Sequence, residues 1–206
     1  MTDGSRTPDR VHWEERYAAR STAGANEAPS DFLQAHAALL HGRVLDVAAG
    51  AGRNSLFLAR RGLVVEAIDI SFAGLHLACA AAKAEGLSVL AVQADLEAFP
   101  LPADRYDAVI NIRYLQRSLF QPIQCAVKTG GLIVFETFLI DQRDIGHPRH
   151  PDFLLQRGEL RSAFASACEI LTYEEGLLQS GGHPAYLARM LARRRVPTRA
   201  QQHTGP

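Results

Sequence analysis

Three carboxylates and two glycines stand at spacings suited to holding a small polar ligand. The run Asp46-Val47-Ala48-Ala49-Gly50-Ala51-Gly52 is followed by the polar, helix-prone Arg53-Asn54-Ser55. Where a buried strand passes through glycines into a helix, the backbone can approach a ligand closely, and the helix start offers unpaired N–H groups and a positive dipole end. The spacing here is G-x-G-x-x-S, with Ser55 in place of the last glycine of the dinucleotide fingerprint, and Asp69 follows 17 residues after Gly52. A carboxylate in that place can accept hydrogen bonds from the two hydroxyls of a ribose. Asp46 falls inside a predicted strand, where a buried carboxylate needs a donor, and a ligand ammonium is one such donor. Asp95, followed by Leu96, supplies a third acid after another strand.

Something must bring these residues to one edge, and the alternation of short β-branched runs with Ala/Leu-rich segments predicts a parallel sheet covered by helices. Ser30 or Asp31 caps a helix through about Leu40. Strands are expected over Val44–Ala48, Leu63–Ile70, Leu87–Gln93, Tyr106–Ile112 and, opened by Gly130-Gly131, Leu132–Phe138. Helices are expected over Arg53–Arg61, Phe72–Glu85 with Ser71 as cap, Leu115–Val127 and Glu159–Ala167. Two last strands, Glu169–Tyr173 and Tyr186–Ala192, form a hairpin through Ser180-Gly181-Gly182. Between the fifth strand and the last helix, Asp141–Arg157 is a long polar loop with two prolines, a candidate to close over a substrate.

The composition bounds the alternatives. At 206 residues, 47% hydrophobic and 21% charged, the chain reads as one soluble globular domain. Lys plus Arg equals Asp plus Glu at 22 each, so no global field recruits nucleic acid or an anionic membrane. The first thirty residues lack the apolar core of a signal peptide, which predicts a cytoplasmic protein. Cys79, Cys125 and Cys168 are read as small apolar fillers. His147 and His150 form H-x-x-H in a Gly/Pro loop, and no metal site is expected from them.

The same residues resemble the class I S-adenosylmethionine-dependent methyltransferases over nearly the whole chain, from about Trp13 to Arg193. Leu45–Leu58 (LDVAAGAGRNSLFL) is similar to the tellurite-resistance-type branch, and AVKTGGLIVFE to the family's turn into its fifth strand. Ala48 departs from the usual first glycine. The resemblance implies a Rossmann-like α/β three-layer sandwich with a seven-stranded, mostly parallel sheet in the order 3-2-1-4-5-7-6, the last strand antiparallel. It implies S-adenosylmethionine as cofactor, with Asp69 on the ribose, Asp95 on the adenine amino group and Leu96 flanking the ring. Gly50 and Gly52 would follow the methionine portion, with Asp46, Ala48, Arg53, Asn54 and Ile70 along the same site and Asn111 and Ile112 near the sulfonium. Trp13 and Tyr17, in a segment that folds over the cofactor in many relatives, would cover it. The implied organisation is an N-terminal segment 1–29 with the covering helix, a catalytic domain 30–193 and a tail 194–206.

A nicotinamide-dependent oxidoreductase is the rival, since glycine turn and Asp69 suit it too, but it requires neither Asp46 nor Asp95. A cofactor-binding protein without catalysis is the other alternative. For methyl transfer the residues leaving the fourth and fifth strands would line the acceptor: Arg113, Glu136 and, on the long loop, His147 and Arg149. Glu136 is open to three readings, as a base, as a partner for a cation, or as a buried acid paired with an arginine. A small polar or anionic acceptor is expected. The Arg193–Arg195 run keeps RNA, or a protein, as an alternative substrate, and the sequence carries no signal for oligomeric state.

Overall fold

The computed structural model describes residues 8–19 and 27–196. In chain order its elements are α1 (Pro8–Ala18), α2 (Asp31–His36), β1 (Arg43–Val47), α3 (Arg53–Arg60), β2 (Val64–Asp69), α4 (Phe72–Ala84), β3 (Val89–Gln93), β4 (Tyr106–Ile112), α5 (Phe120–Ala126), β5 (Val127–Phe138), α6 (Glu159–Phe164), β6 (Cys168–Ser180) and β7 (His183–Arg194). One sheet runs β3-β2-β1-β4-β5-β7-β6, the expected order. β3 to β5 are parallel, and β7 lies antiparallel to β5 and to β6. The chain leaves β1 in one direction to make β2 and β3, then returns to place β4 on the other side. The carboxyl ends of β1 and β4 therefore border a crevice, the place where open α/β sheets bind ligands.

The central strands β1, β2 and β4 are buried on both faces, which is why they read as largely apolar runs rather than alternating ones, whereas the edge strands β3 and β6 are half-buried. Phe32 and Leu33 of α2 and Leu58 of α3 cover one face with Val44, Ile110 and Val134. On the other face Ile123 of α5 and Leu160 and Phe164 of α6 meet Val109, Ile133 and Phe135. Phe120, Phe135 and Phe164 form a triangle of rings with centroids 5.5–5.9 Å apart. Among the described residues, no helix is long and apolar enough to cross a membrane.

Several boundaries differ from those expected. The helix after β4 is confined to Phe120–Ala126, preceded by a single 3-10 turn at Arg117–Leu119, because Val127 already pairs with Tyr106 at the start of β5. Pro122 costs α5 no hydrogen bond, since first-turn N–H groups have no partner inside the helix. The hairpin strands are far longer than expected, pairing from Cys168↔Arg194 to Ser180↔His183. Glu174, Glu175, Gly176 and Pro184 interrupt their apolar pattern, while the backbone ladder, which no side chain reports, continues through them. Arg194, assigned to the tail, ends β7 and donates to Asp104 Oδ1 (2.6 Å), to the Cys125 carbonyl (3.0 Å) and to the Val127 carbonyl. With Arg193 beside Glu169 at 3.6 Å, two members of the arginine run are paired. The rest of the tail, from residue 197, lies outside the described residues.

Phe164 closes one face from a helix of six residues. Phe164→Ala is expected to cost about 3–5 kcal/mol, read in urea as a lower midpoint with an unchanged slope.

Candidate functional site

β1 ends one residue earlier than expected because Ala48 turns into the left-handed region, at φ +54°, followed by Gly50 at +56° and Gly52 at +79°. The Gly50 N–H donates to Asp69 Oδ2 at 2.7 Å and the Ser71 N–H to Asp69 Oδ1 at 2.8 Å. One carboxylate thus ties the turn after β1 to the turn after β2. Gly52 lies against α4, where an added Cβ would sit 2.5 Å from Ala78 Cβ, and at Gly50 it would sit 2.2 Å from Tyr17 Oη. Asp46 is buried beneath the turn and accepts from Ser55 Oγ at 2.6 Å. Burial is the main cause that pushes its carboxyl up to about 7, and the nearby Asp69 adds to the shift. Asp69 is itself raised by burial, against the two N–H donors that hold its charged form.

Above the turn lies a cleft of about 300 Å³, within the range of small-molecule sites. Its floor is Ala48, Arg53 and Asn54, one end is Asp69, Ile70, Asp95 and Leu96, the other is Ile112 and Arg113, and Trp13 and Tyr17 line it from α1. Eleven of the residues singled out in the sequence therefore share one cavity. Asp46, Gly50, Gly52 and Asn111 stand behind this lining. Asn111 is buried and donates to the Tyr114 carbonyl at 2.7 Å, fixing the turn that carries Arg113. Asn54 Oδ1 accepts from the Ser30 N–H at 3.1 Å, and Asp95 Oδ1 from the Glu97 N–H at 2.9 Å.

Two catalytic expectations need correction. Glu136 has no exposed surface and accepts from Arg113 Nε (3.0 Å), Arg189 Nε (2.7 Å) and Ser30 Oγ (3.2 Å), so it is the buried ion-pair acid and not a base open to substrate. His147 and Arg149 are not among the residues lining the cleft. Their loop is tied down elsewhere: Gln142 donates to the His147 carbonyl (3.2 Å) and accepts from the Tyr186 N–H (2.8 Å), and Arg157 reaches Asp141 at 3.0 Å. Arg113 does line the cleft, at φ +65°.

Sequence reasoning placed Arg16 and Glu14 in the covering segment and Tyr114 in the segment leaving the fourth strand without giving them roles, and it missed Glu27; Arg16, Glu27 and Tyr114 line the cavity, and Glu14 positions α1. Ser71 Oγ donates to Glu14 Oε2 at 2.8 Å while capping α4 by accepting from the Gly74 N–H at 3.0 Å. The Ala73 N–H donates to Glu14 at 3.2 Å. An acid at a helix start is favoured by the dipole and by the unpaired N–H groups there. Trp13 and Tyr17 stack with centroids 6.0 Å apart; their i, i+4 spacing was the available signal.

The groups present fit the implied cofactor. Acids (Asp69, Asp95), apolar side chains (Ile70, Leu96), a guanidinium (Arg53) and the backbone of the turn at Ala48, Ala49 and Ala51 line one cavity, which is the mix of groups that a molecule with a diol, a flat ring and an amino-acid portion requires.

Left-handed alanine costs about 1–2 kcal/mol, partly offset by the extra unfolded-state freedom of glycine. Ala48→Gly is therefore expected to raise Tm by a few degrees, and to tighten cofactor binding if the methyl crowds the path. A lower Tm in a melting scan would show that methyl packing against the core outweighs the strain.

Comparison with known proteins agrees with this geometry. Residues 44–131 match the model described as "Methyltransferase domain". The chain is 30% identical over 105 residues to the ubiquinone biosynthesis O-methyltransferase of Histophilus somni, covering 46% of this chain and 44% of that one. It is 34% identical over 102 residues to the demethylmenaquinone methyltransferase of Thermus thermophilus, covering 46% of each. The chain thus spans less than half the length of these curated relatives. Among solved structures, one described by the words "Conversion of a Disulfide Bond into a Thioacetal Group during Echinomycin Biosynthesis" superposes with a TM-score of 0.70 at 21% identity, covering 94% of this chain and 95% of that one. TehB from Haemophilus influenzae superposes at 0.67 with 23% identity, covering 80% of this chain and 62% of that one. At these identities the structural likeness is one of fold. Residues 44–131 thus match a methyltransferase domain, and the sheet order and the cleft at its carboxyl edge are those of the solved structures it superposes on.

Proposed function

We propose that the protein transfers a methyl group from S-adenosylmethionine to a small polar or anionic molecule by in-line displacement, and that it stands near the tellurite-resistance-type branch. The observation that carries this reading is the meeting of Asp69, Asp95 and Arg113 in one cleft at the carboxyl edge of the sheet. Bound S-adenosylmethionine supplies an electrophilic methyl group. Asp69 holds the ribose hydroxyls, Asp95 the adenine amino group between Ile70 and Leu96, and the turn from Ala48 to Gly52 lies along the methionine portion with Arg53 and Asn54. α1 covers the site through Trp13 and Tyr17. What the chain contributes to rate is alignment, and orientation of this kind can contribute about 7–11 kcal/mol. The names of the two relatives, together with Trp13, Tyr17 and Tyr114 in the lining, make aromatic quinone precursors the first acceptors to try.

Titration calorimetry is expected to show binding of S-adenosylmethionine and S-adenosylhomocysteine, whereas binding of NAD or NADP in their place would favour the oxidoreductase. Asp69→Ala should weaken cofactor binding by at least about 1.5–3 kcal/mol, the usual scale for hydrogen bonds to a charged group. Asp69→Asn, which keeps one acceptor oxygen, should lose less.

Asp46 gives the site a pH signature. A cationic ligand group nearby favours the ionised carboxylate, so binding should release a proton while Asp46 is protonated in the free protein. Affinity is expected to rise with pH and level off above about 7, and Asp46→Asn should flatten the profile. For folding the sign is the reverse. With the carboxyl raised from 3.8 to about 7, its contribution is fully present below 3.8 and is lost as pH rises towards 7. Tm measured across that window should therefore fall more in the wild type than in Asp46→Asn.

A further inference from the structure

Two arginines share one buried carboxylate at the β4 end of the cleft. Glu136 bonds Arg113 through one oxygen and Arg189 through the other. Arg189 is 7% exposed, donates from Nη2 to the Gln179 carbonyl at 2.7 Å and lies 5.9 Å from the Phe32 ring. Arg113 donates from Nη2 to Ser180 Oγ at 2.6 Å and rests 4.3 Å from the centroid of Phe138. Its backbone N–H donates to the Glu136 carbonyl at 2.7 Å. Backbone, Nε and Nη2 are thus all fixed, while Nη1 makes no hydrogen bond among the described residues.

The charges in this cluster do not balance. Two guanidiniums oppose one carboxylate, and Arg53, on the cleft floor, adds to the positive potential at Arg113. Asp46, also in reach of Arg53, is buried with its carboxyl pushed up to about 7, and Glu174, 4.0 Å from Arg189 Nη1, and Glu27, 4.0 Å from Arg53 Nη1, are each about half exposed. A charge held away from water calls for a partner. A fixed guanidinium with a free edge suits a carboxylate, phosphate or similar oxyanion, which it can meet with paired N–H donors.

We infer that Arg113, locked by Glu136 and Ser180 and left with excess positive charge by Arg189, is the specificity-determining contact for an anionic group on the methyl acceptor. Arg189 and Glu136 are positioning residues for it. The inference rests on the methyl-transfer reading for the source of the anion. The alternative source is the carboxylate of the methionine portion, for which Arg53 beside the glycine turn is the nearer candidate.

The test uses the full chain saturated with S-adenosylhomocysteine, and benzoate, its neutral match benzamide, and inorganic phosphate as probes followed by calorimetry and melting temperature. Benzoate or phosphate is expected to bind, with benzamide about tenfold weaker or absent. Arg113→Ala and Arg113→Lys should each lower anion affinity about tenfold while S-adenosylhomocysteine affinity stays within about threefold, because lysine keeps the charge but not the fork. Arg189→Gln, which removes the excess charge and leaves Arg113 paired, should lower anion affinity about fivefold, a loss that a purely structural role would not produce at unchanged circular dichroism. If Arg189→Gln fails to fold, Arg113→Lys decides alone. Equal binding of benzamide and benzoate, no binding of either anion, or full anion affinity in Arg113→Lys overturns the inference. So does a large loss of S-adenosylhomocysteine affinity in Arg113→Ala that disappears with a decarboxylated analogue, since the anion is then the cofactor's. Failure of the wild type to bind S-adenosylhomocysteine would instead overturn the cofactor reading, and anion binding to the unliganded chain would still decide this one.

Discussion

The Asp69 carboxylate is the contact on which the ligand-binding edge depends. Its two oxygens take the Gly50 and Ser71 N–H groups, and in doing so they fix both the left-handed turn after β1 and the start of α4. Everything stacked above follows from that bond pair. Ser71, so placed, caps α4 and meets Glu14, and Tyr17 then falls on Gly50, where only a residue without a side chain leaves room for it. Beneath, the negative charge of Asp69 makes a second ionised acid unfavourable and helps keep Asp46 protonated into the neutral range.

Among the cleft residues that follow the parallel strands, the charge changes sign from one end to the other. Asp69 and Asp95 stand at the β2 and β3 end, and Arg53 and Arg113 at the β1 and β4 end. This polarity is a product of topology, because each residue follows a different parallel strand and only the reversal between β3 and β4 places the two sets side by side. A ligand with a hydroxyl-rich end and an anionic end is aligned by such a field before any specific contact forms.

Legibility in the sequence tracked the range of the interactions. Tyr106–Ile112 was readable to the residue because its aromatic and β-branched residues, bounded by turn-forming neighbours, need no distant partner to identify them. Asp69 and Asp95 were readable because strand ends at fixed spacing define them. Ala48 was visible as a departure from glycine, but alanine carries no sign of a left-handed φ, so its place in the turn was assigned to the strand instead. Glu136 could not be resolved from its type. Its partners are 23 and 53 residues away, and only the pairing of β5 with β4 and β7 brings them to it. The role of Glu14 was hidden for the same reason, since the helix start it meets is 57 residues on.

The two ends of the cleft also differ in how closely recognition is bound to folding. At the acidic end the ligand-facing groups rest on backbone N–H donors, and α1 is attached through a carboxylate at a helix start and through rings, with no described side chain of α1 fully buried. Changes there alter the site while the core stays intact. At the basic end Arg113 is joined to Glu136 and Arg189, and Arg189 lies in β7 between β5 and β6. Removing Glu136 leaves two guanidiniums without their carboxylate, which costs far more than the pairing contributes. The antiparallel hairpin is therefore more than a cover for the sheet edge. By carrying Ser180 and Arg189 to the end of β4, it sets the charge that this end of the cleft presents.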